Sequence, residues 1–219
     1  MTSIPVLTID GPSGAGKGTV SRAIARQLGW NYLDSGSIYR SLAIACLQAD
    51  LDLTNVEAVC QVAQTIQLSF VCGDNLQVNL NGQDITELLG TETTGNSASI
   101  VAVYPSVRAL LLQKQKDFQQ LPGLVADGRD MGSVVFPDAQ YKVFLTASAE
   151  QRGLRRYKQL IDKGIDANLP QITREIEERD RRDSERATSP LIVPQGAQLI
   201  DSSSLNIQQV IDAVMDLVR

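Results

Sequence analysis

Gly11-Pro12-Ser13-Gly14-Ala15-Gly16-Lys17-Gly18-Thr19 is the stretch on which the fold turns. It follows a short apolar, β-prone run, Ile4–Asp10. It opens a segment with helical apolar spacing (Val20, Ala23, Ile24, Leu28) that Gly29 stops. Strand, glycine-rich turn and helix in that order are the setting of a phosphate-binding loop. The glycines let successive backbone N–H groups point inward around phosphate oxygens, and the helix amino end adds a favourable dipole. Lys17 can reach the terminal phosphates as a point charge. A glycine-rich turn with no ligand is the plainer alternative, but spacing, lysine and context together argue against it. Gly18 stands where many such loops place the hydroxyl that ligates magnesium, and Thr19 is next.

Outward from the loop, the chain alternates strands and helices. Asn31–Leu33 reads as a second buried strand and Ser37–Ala49 as a second helix. Thr54 and Glu57 read as a capping box for a helix over about 54–65. Gln67–Val71 and Leu76–Leu80 alternate in the β manner around a CGDN turn, and Asn81-Gly82 marks a tight turn, so 67–85 reads as a small antiparallel insert. Polar, Thr-rich residues 91–99 lead into a helix near 105–119 with Pro105 at its start. Leu124–Ala126 and Val143–Thr146 resume the buried strands, and Ser148 with Gln151 caps a basic helix over about 149–163. A loop over 164–170 precedes a charged helix to about Arg186, then come a strand at Gln198–Ile200 and an amphipathic helix at Asn206–Val218. This alternation predicts an α/β fold, a doubly wound parallel sheet carrying a small antiparallel insert and a short helical lid.

Composition narrows the function. The chain has 219 residues, enough for a sizeable core, and is 43% hydrophobic, as an ordinary globular protein is. It has no histidine, which excludes any histidine base or metal ligand. A net charge of −5 argues against a coat for nucleic acid or an acidic membrane. Yet 14 of the 20 bases are arginine, the residue suited to bidentate phosphate contacts, so local binding of small anions is expected. Cys46, Cys60 and Cys72 show no CxxC spacing and read as free thiols of a reducing compartment. The start MTSIPVLTIDG has no basic leader, and no apolar run approaches the length of a spanning helix. A soluble, cytoplasmic protein, expected to be a monomer, is the consistent reading.

Three further stretches bear on who receives a phosphate. Asp34-Ser35-Gly36-Ser37-Ile38-Tyr39-Arg40 lies at a strand carboxyl end, where such sheets bind ligands. Ser35 and Arg40 can hold a second anion there, or Asp34 and Ser35 simply cap a helix. In Leu124-Val125-Ala126-Asp127-Gly128-Arg129-Asp130-Met131-Gly132, an apolar strand ends in Asp127, a candidate to support magnesium directly or through water. Arg129 and Asp130 follow a glycine bend that turns both into a cleft; a polar turn with a salt bridge is the alternative. In Glu175–Arg186, EIEERDRRDSER, the plain reading is a solvated helix held by i,i+4 charge pairs. However, Arg179, Arg182, Asp183 and Arg186 share one helix face, which suits an anionic sugar phosphate.

The GKGT form of the loop resembles the nucleoside monophosphate kinases. The four motifs in order, GPSGAGKGT, LDSGSIYR, ADGRDMGSVVFPDA and EIEERDRRDSER, resemble the bacterial cytidylate kinases over about 4–217. That resemblance implies transfer of a phosphoryl group from ATP to CMP or dCMP, with Mg2+ held largely through water. It implies ATP binding by Gly11, Pro12, Ser13, Gly14, Ala15, Gly16, Lys17, Gly18 and Thr19. It gives the acceptor phosphate to Ser35, Arg40, Arg129 and Arg186, the sugar to Asp183 with Arg179, and cytosine to Ser99, Arg108 and Asp130. Lys17, Asp127, Arg129, Arg152 and Arg156 form the implied catalytic set, with Arg155 beside them on the lid helix. One kinase domain over 1–219 is implied, with a core (about 1–35, 105–150 and 187–219), an acceptor-binding region with insert (about 36–104) and a lid (about 151–186). Cytosine offers an amino donor at N4 and acceptors at N3 and O2, which suits Asp130 or Ser99 on one side and Arg108 on the other. The rival readings are a phosphate-loop kinase for another small acceptor, such as UMP, and a nucleotide-binding module without catalysis.

Overall fold

The computed structural model describes residues 4–72, 76–162 and 164–218. Residues 73–75 of the expected CGDN turn and the first three residues of the chain lie outside the described residues, and the Cys72 side chain is likewise not described. The chain forms two compact units, Met1–Leu33 with Gln119–Arg219, and Asp34–Phe118.

The larger unit is built on a five-stranded sheet in the order β2-β6-β1-β7-β8. These strands are β1 (Val6–Asp10), β2 (Asn31–Asp34), β6 (Leu124–Gly128), β7 (Tyr141–Thr146) and β8 (Gln198–Asp201). β1 pairs in parallel with β6 and β7, and β7 with β8. Every residue of β1 and β6 is buried, as expected of parallel strands covered on both faces. Leu7, Ile9, Leu33, Leu124 and Leu145 are fully buried there. The helices are α1 (Lys17–Leu28), α6 (Ala149–Asp162), α7 (Leu169–Glu185) and α8 (Ile207–Val218). α1 packs on β6 and α8, and α6 packs on α7. A single π-helical turn, Met131–Val135, follows β6. The chain winds from β1 out to β2, back through β6, and across to β7, so the strand order reverses around β1. Such a reversal opens a crevice at the strand carboxyl ends, and the glycine-rich loop lies there. Gly11, with φ of 149°, passes so near β7 that a Cβ would sit 1.9 Å from the Leu145 carbonyl oxygen, so only glycine fits.

The smaller unit holds α2 (Ser35–Gln48), α3 (Val56–Thr65), α4 (Glu92–Val101), α5 (Pro105–Lys116) and a three-stranded antiparallel sheet. Its strands are β3 (Leu68–Cys72), β4 (Leu76–Leu80) and β5 (Gln83–Asp84). Asn81 and Gly82 both have positive φ, 51° and 83°, the signature of the tight two-residue turn that joins β4 to β5.

Four local expectations need correction. α2 starts at Ser35 because Asp34 is its cap, accepting from the Ser37 N–H at 3.0 Å. The Thr54–Glu57 capping box does not form: Thr54 bonds back to Asp52, and Asn55 caps α3 by accepting from the Ala58 N–H at 3.1 Å. The polar stretch at 91–99 is largely α4, capped by Thr91, not a lead-in. The loop before α7 ends sooner, since Asn168 is the cap and the helix begins at Leu169.

Candidate active site

In the larger unit the loop sits between β1 and α1, with Gly16 in the left-handed conformation at the helix cap. Lys17 is buried, and its Nζ donates to the Pro12 carbonyl at 2.9 Å. Burial pushes its pKa down to about 7; Arg129 and Arg179 push the same way, while Asp127 and Asp10 oppose them. Three cations held this close disfavour one another, so an anion placed among them is strongly favoured.

Asp127, at the end of β6, is buried and accepts from the Tyr32 hydroxyl at 2.8 Å. A Cβ at Gly18 would lie 3.5 Å from Asp127 Oδ2, so the carboxylate stands beside the loop. The described residues contain no cluster of three or more acidic, cysteine or histidine groups able to cage a metal. Asp127 beside the glycine-rich loop fits Mg2+, which keeps several waters and binds through one or two carboxylates plus substrate phosphates.

Arg129 follows β6 and is tied to Asp183 of α7, Nε to Oδ2 at 2.9 Å. Burial works against both charges. Even so, Asp183 holds the Arg129 pKa above its ordinary value, and Arg129, Arg179 and Arg186 hold the Asp183 carboxyl below its own. Arg186 spans Asp183 and Asp130, each at 3.9 Å, and all three are buried. Arg179 donates to the Ser13 hydroxyl at 3.4 Å. The charged helix therefore turns Arg179, Asp183 and Arg186 inward as one face, and its plain reading as a wholly solvated helix fails. On α6, Arg152 is buried against the loop and Arg156 is half-buried.

Two residues not singled out from sequence join this cluster. Asp10 accepts from the Met131 and Gly132 N–H groups, both at 2.8 Å, and so fixes the turn just after Arg129 and Asp130. Burial raises its pKa to about 7 against those two hydrogen bonds. Asp180 accepts from the Ser13 N–H at 3.3 Å and from Arg152. The only sequence signals were a carboxylate ending the first strand and one set three residues before Asp183.

In the smaller unit, Ser35 donates to Gln115 Oε1 at 2.7 Å, and Arg40 donates to the Leu89 carbonyl at 3.0 Å. Arg108 is buried, donates to the Ala102 carbonyl at 3.1 Å, and lies over the Tyr39 ring at 5.4 Å. Ser99 is buried on α4, and its hydroxyl meets no hydrogen-bond partner among the described residues. A buried orphan hydroxyl costs about 1–3 kcal/mol and is explained when a ligand completes it.

A family model described as cytidylate kinase matches residues 7–219. A cytidylate kinase of Methylococcus capsulatus is 53% identical over 217 residues, covering 99% of this chain and 98% of that protein. One of Stutzerimonas stutzeri is 51% identical, covering 98% and 95%, and one of Aeromonas salmonicida is 50% identical, covering 96% and 92%.

Proposed function

This chain belongs to the cytidylate kinase family, and from that premise we propose how its residues divide the work. The reaction moves the terminal phosphoryl group of ATP to the phosphate of CMP or dCMP. An oxygen of the acceptor phosphate forms the new P–O bond while the bond to the ADP oxygen breaks. The acceptor oxygen is already an adequate nucleophile, so a chain without histidine lacks nothing the step requires.

The observation that carries this reading is the cation cluster at the glycine-rich loop, buried Lys17 with half-buried Arg129 and Arg179, the last reaching the Ser13 hydroxyl at 3.4 Å. Gly11–Thr19 bind the ATP phosphates, and Lys17 neutralises charge developing on the transferred group and the leaving oxygen. Arg129 and Arg186 hold the acceptor phosphate together with Ser35 and Arg40. Asp183 and Arg179 take the sugar. Cytosine falls to Ser99, Arg108 and Asp130, with Asp130 or Ser99 accepting from its amino group and Arg108 donating to its N3 and O2. Arg156 is the lid cation in the 151–186 segment, which excludes water because an open site hydrolyses ATP. Residues 36–104 form the acceptor-binding region.

Mg2+ is held by Asp127, directly or through water, and when bound it neutralises phosphate charge. The free thiols Cys46 and Cys60 support a cytoplasmic setting, and we read the chain as a monomer that binds neither membrane nor nucleic-acid polymer.

Chromatography of a mixture of purified protein, ATP and CMP tests the reading, with and without a chelator. CDP and ADP are expected in equal amounts, with turnover lost to the chelator and restored by magnesium. ADP without CDP would overturn it.

A further inference from the structure

A phosphate-binding loop works only if its N–H groups face inward. In a planar trans peptide the C=O and N–H point opposite ways. Each inward N–H therefore sends the preceding residue's carbonyl outward, and a buried outward carbonyl needs a donor. Two arginines three residues apart on α6 supply such donors. Arg152 donates through Nε to its own helix entry, the Ala147 carbonyl, at 2.9 Å, which fixes the guanidinium. Its Nη1 donates to the Ser13 carbonyl at 2.9 Å and to Asp180. Arg155 Nη1 donates to the Ala15 carbonyl at 3.3 Å and to Ser202 Oγ at 3.1 Å, and its Nη2 donates to the Ser202 carbonyl. The Ser13 carbonyl shares a peptide plane with the Gly14 N–H, and the Ala15 carbonyl with the Gly16 N–H. The loop lies directly on α6: a Cβ at Gly14 would be 3.0 Å from Arg152 Cβ.

We propose that Arg152 and Arg155 are positioning residues that brace the phosphate loop from outside. By holding the Ser13 and Ala15 carbonyls outward, they aim the Gly14 and Gly16 amides at the triphosphate. This rests on the reading of Gly11–Thr19 as the ATP site. It moves Arg152 from the implied catalytic set to the loop's backbone. Asp180 completes the brace, neutralising buried Arg152 and tying the Ser13 N–H to α7.

The test titrates inorganic tripolyphosphate, which carries neither base nor acceptor, into 15N-labelled protein. Wild type is compared with Arg152→Lys and Arg155→Lys. In wild type the Gly14 and Gly16 amide resonances are expected to shift on titration; if neither moves, the phosphate-loop reading itself fails. In Arg155→Lys the Gly16 response is expected to shrink while Gly14 keeps its own, and in Arg152→Lys the reverse. Each variant should bind tripolyphosphate about tenfold more weakly, the scale of one charge-assisted hydrogen bond, with KM for CMP within about twofold of wild type. Unchanged glycine responses and affinity together with a fallen kcat would overturn the brace, because the arginines would then touch the transferred group. Equal loss at both glycines in either variant would overturn it as well, as general loosening. Should buried Arg152→Lys fail to fold, half-buried Arg155→Lys decides alone by its Gly14-against-Gly16 contrast.

Discussion

Around Ser13 and Ala15 the groups proposed to work are main-chain amides; around Ser99 and Arg108 they are single side chains on helices. The first region belongs to the larger unit, where the loop, Lys17 and the inward face of α7 form one charged cluster. The second belongs to the smaller unit, where a buried hydroxyl that meets no partner among the described residues and an arginine over a tyrosine ring stand on α4 and α5. A site made of backbone imposes glycines at fixed spacing, so it is visible in any sequence that carries it. A site made of isolated side chains leaves no local pattern. It also follows that phosphate handling should tolerate few changes, whereas base selection should shift with one.

The sharpest way to break this contrast is at Lys17. Lys17→Ala should lower kcat by about 10²–10³, the scale of one charge-stabilising donor. Near-normal turnover in steady-state kinetics would show that the loop's amides alone suffice.

Asp10 probes the rigidity of the same region through pH. Its folded pKa, raised by burial to about 7, exceeds the unfolded value of 3.8, so the folded state holds the extra proton between them. Stability therefore declines as pH rises from about 4 to 7 and levels above it, by about 2–4 kcal/mol from this residue. Asp10→Asn should flatten that slope in denaturant melts across the window; an unchanged slope would show that Asp10 is ionised throughout.

Arg129→Ala should raise KM for CMP about 10- to 100-fold and leave KM for ATP within about threefold, since a lost charge-assisted contact costs about 1.5–3 kcal/mol. Weakened ATP binding with normal CMP kinetics would place Arg129 on the donor side instead. The smallest effect is expected at the base. Asp130→Asn gives the site both a donor and an acceptor, so the ratio of kcat/KM for CMP over UMP should fall about tenfold. A ratio that stays put would remove Asp130 from base recognition.

The legibility of the molecule follows the same division. β1, the loop and α1 were readable because apolar run, glycines and helical spacing are contiguous, and the helix ends at Leu28 with Gly29 as its cap, as expected. α4 was not readable as a helix. Its Thr, Ser, Gly and Asn are poor helix formers, and packing of Thr94, Gly95, Ser97 and Ala98 within its unit overrides that preference. The misplaced α3 cap shows two adjacent candidates competing, with Asp52 capturing Thr54 first. Asp10 and Asp180 were missed for another reason. Their partners lie 121 and 167 residues away, a distance no local pattern spans. Ser99 and Arg108 were named only through resemblance, since each alone is an ordinary polar residue on a helix.

The most direct test of the account is ADP release from ATP with CMP, dCMP, UMP or AMP supplied as the sole acceptor. Uracil reverses the polarity at N3 and the exocyclic position, leaving buried groups unpaired at about 1–3 kcal/mol each. CMP and dCMP should therefore exceed UMP by at least about tenfold in kcat/KM, with AMP lower still. Equal turnover of CMP and UMP would contradict the assignment of a cytosine-reading site.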